Sequence, residues 1–176
     1  MKIKSMKKRK QKGFAMLEVM LAILIIAIAS FGIYKLYSSS SVRNSVTSTE
    51  NIISQVSSAA SQYANMYMDS PTLAKMKSVG YLPQDISATD SENISTPLGA
   101  GAFAPVSGGA NDSYTITFSS VPNGAVLSFI KDMAALCDVH VGSTYYDGVT
   151  VPTLSGTTSG VKLTFPKGTD TSSTKP

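Results

Sequence analysis

One cysteine, one histidine and no tryptophan occur in 176 residues. A single cysteine, Cys137, excludes an intramolecular disulfide framework. The lone histidine, His140, has no Cys-x-x-Cys or second histidine to join it, so it cannot build a zinc site, and no evident nucleophile waits for its help. Its place between Val139 and Val141 predicts a surface or strand-edge residue. Charge is also sparse, at 15% of residues. Beyond the N-terminal third the acids are scattered, and the nearest pair, Asp90 and Glu92, reads as a solvated loop rather than a general acid and base. No run of acids is dense enough for a calcium loop. The glycines at 97–101 and 108–109 lack the Lys-Ser or Lys-Thr that closes a phosphate cradle. No metal, cofactor or catalytic residue is therefore expected.

What charge there is sits unevenly. The formal net charge of +4 suggests an affinity for nucleic acid or anionic surfaces. Seven of the 15 basic residues (Lys2, Lys4, Lys7, Lys8, Arg9, Lys10 and Lys12) fall in the first 13 positions, leaving 8 against all 11 acids, a balance of −3. Basicity belongs to a short head segment, and no nucleic-acid partner is expected.

That segment precedes FAMLEVMLAILIIAIASFGIY, 21 residues from Phe14 to Tyr34 with Glu18 as their single charge. At about 1.5 Å per residue such a helix is about 30 Å long, the thickness of a bilayer core. The basic flank predicts a cytoplasmic N-terminus and translocation of everything after Lys35. Three readings compete. A secretory signal could be cut after Ala27-Ile28-Ala29, but the apolar run continues past that triplet. A plain single-pass anchor leaves Glu18 unexplained, because an intramembrane carboxylate is costly and marks a functional position by default.

The third reading accounts for Glu18. Gly13-Phe14-Ala15-Met16-Leu17-Glu18, behind a basic leader and ahead of the apolar helix, resembles the class III signal of type IV prepilins. The resemblance is specific over residues 7–35 and architectural beyond them. It implies cleavage between Gly13 and Phe14 by a membrane-embedded prepilin peptidase/methyltransferase, which then N-methylates Phe14. Glu18 becomes the fifth mature residue, where pilins keep a glutamate. Gly13 presents no side chain at the scissile bond and accepts extended backbone. Glu18, one turn into the helix, is favoured by the macrodipole and can pair with a freed α-amino group, which in the family belongs to a neighbouring subunit. The resemblance further implies a filament core built from Phe14, Leu17, Leu21, Leu24, Ile25 and Ile28. Its implied partners are copies of the chain in a homopolymeric helical filament, the peptidase, the inner-membrane assembly machinery and, before assembly, lipid. Its role would be structural, in a pilus for adhesion, aggregation or conjugative mating, with the prepilin in the bacterial inner membrane and the assembled pilus extracellular. A type II secretion pseudopilin would share the whole N-terminus. A membrane-anchored periplasmic binding domain would not be cut at Gly13.

Past Tyr34 the helical period persists. Val42, Val46, Thr49, Ile53, Val56, Ala60, Tyr63 and Tyr67 recur at alternating spacings of 4 and 3, one apolar stripe. A single helix from Phe14 to Met68 is expected, with a bend or melted turn at the serines of 38–41. Ser70-Pro71 predicts the start of a second helix, which Gly80 ends within a GYLP connector at 80–83 resembling that of several pilins. Residues 84–112 read as loop and hairpin punctuation. Alternating Tyr114, Ile116 and Phe118 predict a strand; Val126, Leu127, Ile130, Met133, Ala134 and Cys137 predict one face of a helix; 138–142 and 160–166 predict two more strands.

The expected class is α+β: a long N-terminal helix, half transmembrane and half amphipathic, packed on a small antiparallel sheet, the type IV pilin fold. The organisation read is a leader at 1–13, the membrane or filament-core half of the helix at 14–34, its amphipathic half at 35–68, a head at 69–168 and a disordered tail at 169–176. PLGAG, SYTITFSSVP and a short helix in that order resemble the type IVb group, as does a 13-residue leader. Phe14 as first mature residue is the type IVa habit. Type IVb pilins usually close a C-terminal loop with a disulfide, which the unpaired Cys137 cannot do; it reads as a small buried apolar residue rather than an intermolecular link.

Overall fold

The computed structural model describes residues 12–83, 86, 92–106, 110–154 and 156–168. Residues 1–11 of the leader, the tail read at 169–176, Asp90, Gly108 and Gly109 lie outside the described residues. Two compact units divide the chain, one ending at Ser41 and the other beginning at Val42.

Helix α1 runs Lys12–Tyr67, 56 residues. Ser38 to Ser41, where a bend or melted turn is expected, are helical. Serine costs only about 0.5 kcal/mol per position relative to alanine, too little to interrupt a helix whose continuation is held by the buried stripe that begins at Val46. In the second unit the expected stripe lies inward: Val46, Thr49, Ile53, Val56, Ala60 and Tyr63 are buried, with Ala59 and Ala64 widening it. Thr49 donates its hydroxyl to the Ser45 carbonyl at 2.8 Å, which lets a polar group sit there. Tyr67 departs from the expectation. It is 48% exposed and stacks on Tyr63 at 4.8 Å, because the helix ends beneath it. Met68 stops α1 in the left-handed region, at φ +50, and the Asn111 side chain donates to its carbonyl at 2.7 Å.

Helix α2 spans Leu73–Ser78 and starts later than Ser70-Pro71 suggests. Thr72 is its cap, accepting the Lys75 N–H at 3.3 Å, while Asp69 turns away to pair with the Lys75 ammonium. Gly80 ends it as expected. At φ +84 its N–H reaches Lys77 and that of Tyr81 reaches Met76, a Schellman closure.

Six strands form one antiparallel sheet in the order β1-β2-β3-β6-β4-β5. They are β1 Asn93–Thr96, β2 Gly99–Pro105, β3 Tyr114–Pro122, β4 Asp138–Val141, β5 Thr144–Tyr146 and β6 Thr158–Phe165. The expected strands are present as β3, β4 and β6. The hairpin β1-β2 lies among residues that read as loop and hairpin punctuation, where no strand is expected by position because the alternation is written in Gly and Ala. Gly101 sits opposite Phe118, and a Cβ there would lie 2.9 Å from the ring. Glycine is thus the pocket for a large neighbour. Phe103, Tyr114 and Phe165 stack across β2, β3 and β6 with 5.0 Å between successive centroids.

Helix α3, Asn123–Met133, joins β3 to β4. The Asn123 side chain fixes its start by donating to Gly156 at 2.9 Å and accepting the Ser159 hydroxyl at 2.7 Å. Val126, Ile130, Met133 and the following Cys137 point inward as expected, but Leu127 is 44% exposed and Ala134 half-buried. Phe129 takes the inward place, meeting Phe118 edge-on at 5.6 Å. The reason is angular, since 127 lies about 100° from 126 while 129, 130 and 133 share its face. The buried stripe of α1, the inner face of α3 and the inward residues of the sheet form one hydrophobic cluster. This is an α+β arrangement matching the pilin fold.

His140 corrects its expectation too. Strand β4 lies between β6 and β5, so it is no edge, and all four of its residues are buried. Val139 and Val141 face the core; Asp138 and His140 face the other way. There Tyr145 donates to Asp138 at 3.3 Å and meets the His140 ring at 5.4 Å, and the Gly168 N–H donates to Asp138 at 2.6 Å.

Candidate functional site

The residues that the sequence singles out fall on two separate parts of the chain. In the first unit, Gly13 and Phe14 lie in the opening turn of α1. Their peptide bond is helical, not extended as a protease requires. Glycine is the weakest helix former after proline, about 1 kcal/mol worse than alanine, so Gly13 is where this turn opens most readily. Leu17, Leu21, Leu24, Ile25 and Ile28 are each 55–67% exposed. Glu18 is exposed among them. From Met16 to Tyr37 the large apolar side chains are 55–76% exposed, and the helix reaches a mean hydropathy of 2.5. A helix apolar on every side needs lipid or other helices around it. Lys35 holds its ammonium 5.9 Å from the Phe31 ring at the end of this stretch, a cation on an aromatic at the expected membrane border.

The second unit carries the remaining reactive groups. Cys137 is free and 1% exposed, and its thiol donates to the Met133 carbonyl at 3.3 Å. Burial, with Asp138 beside it, pushes the thiol up to about 12, so it is neutral and unreactive at physiological pH. No group of three or more His, Cys, Asp or Glu that could hold a metal occurs among the described residues. A cleft of about 270 Å³ between α2 and β2 is lined by Thr72, Leu73, Phe103 and Pro105, with Glu92 at its wall. It is slightly smaller than the clefts of about 300–1,000 Å³ that enclose small molecules.

One pair escaped sequence reasoning. Glu50 on α1 and Asp132 on α3 bring their carboxyl groups into contact, and burial followed by the Asp132 charge raises the Glu50 pKa above its ordinary 4.5. Glu50 Oε1 is closed to solvent with no hydrogen-bond partner among the described residues. No local pattern joins the two positions, which meet only because α1 and α3 share the core.

Residues 8–34 match the family model for the prokaryotic N-terminal methylation motif. No curated protein matches the chain. The motif covers Gly13, Phe14 and Glu18 together with most of the exposed apolar surface, and it fits membrane anchoring by α1, the one described helix long and apolar enough to cross a bilayer. With this motif on α1 and the α+β head that follows, the chain is prepilin-like, similar to type IV pilins and to pseudopilins.

Proposed function

We propose that the chain is a type IV pilin subunit, of the IVb kind, that polymerises into a pilus for adhesion, aggregation or conjugative mating. Phe14 to Tyr34 hold it in the inner membrane with residues 1–13 in the cytoplasm and the head in the periplasm. Prepilin peptidase cuts between Gly13 and Phe14 and methylates Phe14, and the inner-membrane assembly machinery moves the helix from lipid into the filament. There Phe14, Leu17, Leu21, Leu24, Ile25 and Ile28 exchange lipid for equivalent helices, and Glu18 pairs with the Phe14 amine of a neighbour. That pairing sets axial register and offsets the cost of a carboxylate in an apolar core. The chain does no chemistry of its own in this role.

The observation that carries this reading is the coincidence of the motif at 8–34 with a helix whose large apolar side chains, Met16 to Tyr37, are 55–76% exposed. Mass spectrometry of the mature protein tests it: the expected N-terminus is Phe14 bearing one extra methyl, and a start at Ser30 or an intact Met1 overturns it. Electron microscopy then separates a long surface filament from the short periplasmic one of a pseudopilin. Glu18→Ala should insert into the membrane and be cut normally yet assemble poorly, and normal filaments from that variant would remove the register pairing.

A further inference from the structure

Asn123 and Gly124 form the one Asn-Gly pair in the chain. Such a pair is intrinsically reactive. Glycine has no side chain to hinder its backbone nitrogen from attacking the preceding amide carbon, and it leaves the main chain free to reach the geometry that attack needs. The pair stands where β3 ends and α3 begins. Gly124 is exposed, with nothing within 4 Å of the place a Cβ would take, so water reaches it.

Three hydrogen bonds hold Asn123, and all three come from a segment 33–36 residues downstream. Its Nδ2 donates to the Gly156 carbonyl at 2.9 Å, its Oδ1 accepts the Ser159 hydroxyl at 2.7 Å, and its backbone N–H donates to the Thr157 carbonyl at 3.0 Å. Gly156 and Thr157 lead into β6, and Ser159 lies within it, opposite Val121. The carboxamide is thus clamped at both its nitrogen and its oxygen, at the first position of a helix. Ring closure needs the Gly124 nitrogen about 3–3.5 Å from Asn123 Cγ and aligned with its carbonyl. To reach that arrangement Asn123 must leave its helical ψ and turn its carboxamide, and the docked strand blocks both. Without residues 156–159 the three restraints vanish together.

From these features we infer that Asn123-Gly124 is a deamidation site gated by the docking of β6, closed in the finished head and open in a head whose last strand is absent or displaced. In the open state the Gly124 nitrogen attacks Asn123 Cγ. The new N–C bond closes a five-membered succinimide, the Cγ–Nδ2 bond breaks, and the side-chain nitrogen leaves as ammonia, carrying the proton that Gly124 gives up. Water then opens the ring at either carbonyl, leaving aspartate or isoaspartate at position 123. Neither product rebuilds the joint. A carboxylate has no donor for the Gly156 carbonyl and sets negative charge against that oxygen, while isoaspartate adds a methylene to the main chain in the first turn of α3. A subunit that lingers incomplete is thereby marked irreversibly at the seam β6 must close. The site belongs to the head alone and does not depend on the filament reading.

Peptide mapping by mass spectrometry of the full-length chain, incubated at mildly alkaline pH in detergent with and without concentrated urea, tests the gate. Conversion at 123 is read against Asn51 and Asn65, which precede Ile52 and Met66 and serve as slow internal references. The unfolded chain should convert Asn123 about tenfold faster than the folded one, or more. Ser159→Ala, which removes the 2.7 Å bond, should speed conversion in the folded head by about fivefold. Ser159→Thr, which keeps the hydroxyl, should stay as slow as the wild type, and near-ultraviolet circular dichroism reports that each head is folded. Gly124→Ala, whose Cβ meets open space, should fold normally and silence the site in urea. Equal rates in folded and unfolded wild type, rapid conversion of unfolded Gly124→Ala, or a folded Ser159→Ala head as slow as the wild type overturns the gate.

Discussion

Replacing Gly101 by alanine adds one methyl at a place where the structure leaves no room for it. The new Cβ would lie 2.9 Å from Phe118 Cε1, 3.0 Å from Cζ and 3.1 Å from Ile116 Cγ2. The Phe118 ring cannot swing aside cheaply, because it is 1% exposed and held edge-on against Phe129. Overpacking of this kind costs about 1–3 kcal/mol. Against it stands the reduced freedom of the unfolded chain, worth about 0.4–1 kcal/mol in favour of alanine. The net expectation is a loss of about 1–2 kcal/mol, or a Tm lower by about 3–8 °C, measured by near-ultraviolet circular dichroism of the full-length protein in detergent. Gly160→Ala is the matched control. Its Cβ would meet only the Phe118 and Ser119 carbonyl oxygens, at 3.7 and 3.8 Å, so it should be neutral or slightly stabilising. In a Gly101→Ala background, Phe118→Leu should cost less than it does alone, because the smaller side chain relieves the clash. A Gly101→Ala protein as stable as the wild type, or strict additivity with Phe118→Leu, would refute the packing account.

Two further outcomes follow from the head. Cys137, buried and with its thiol pushed up to about 12, should resist iodoacetamide at pH 8 in the folded protein and react readily once denatured; quantitative labelling of the native chain would contradict its place in the core. Glu50 has a raised pKa, so the folded head binds its proton more tightly than the unfolded chain does. Its contribution therefore falls as pH rises from the ordinary glutamate value of 4.5 through the raised one, and acidifying from neutrality stabilises the unassembled subunit there. Glu50→Gln should flatten that slope and raise the melting temperature at pH 7, and an unchanged slope would place the titration elsewhere.

Sequence periodicity proved informative wherever one face of an element is apolar and the other wet. The α1 stripe from Val46 to Tyr63 and the alternations at 114–118 and 161–165 are of that kind, and each became an element facing the core as its period implied. The misses share a cause. Strand β2 buries Gly101 and Phe103 among alanines, a pattern that reads as turn because glycine there serves its neighbour's ring rather than the backbone. Strand β4 is buried on both sides, so His140 carries no local sign of Tyr145 covering it. The candidate site divides the same way. Gly13, Phe14 and Glu18 form a contiguous pattern and were open to a linear reading. The Glu50–Asp132 contact joins two helices distant in sequence, and nothing near either residue announces it.

The position of β6 has a consequence for the order in which the head can be completed. Among the described residues this strand is the only link between the sheet's two parts, pairing with β3 on one side and β4 on the other. Without residues 158–165, β1-β2-β3 and β4-β5 are left as two groups with no strand pairing between them among the described residues. A head translocated behind a cytoplasmic N-terminus, with the segment after Lys35 leading, would therefore carry an unfinished sheet through most of its passage. The head would close in one late step, with β6 entering as a wedge driven between two waiting halves, and a chaperone acting on this protein would have those two exposed strand edges to guard.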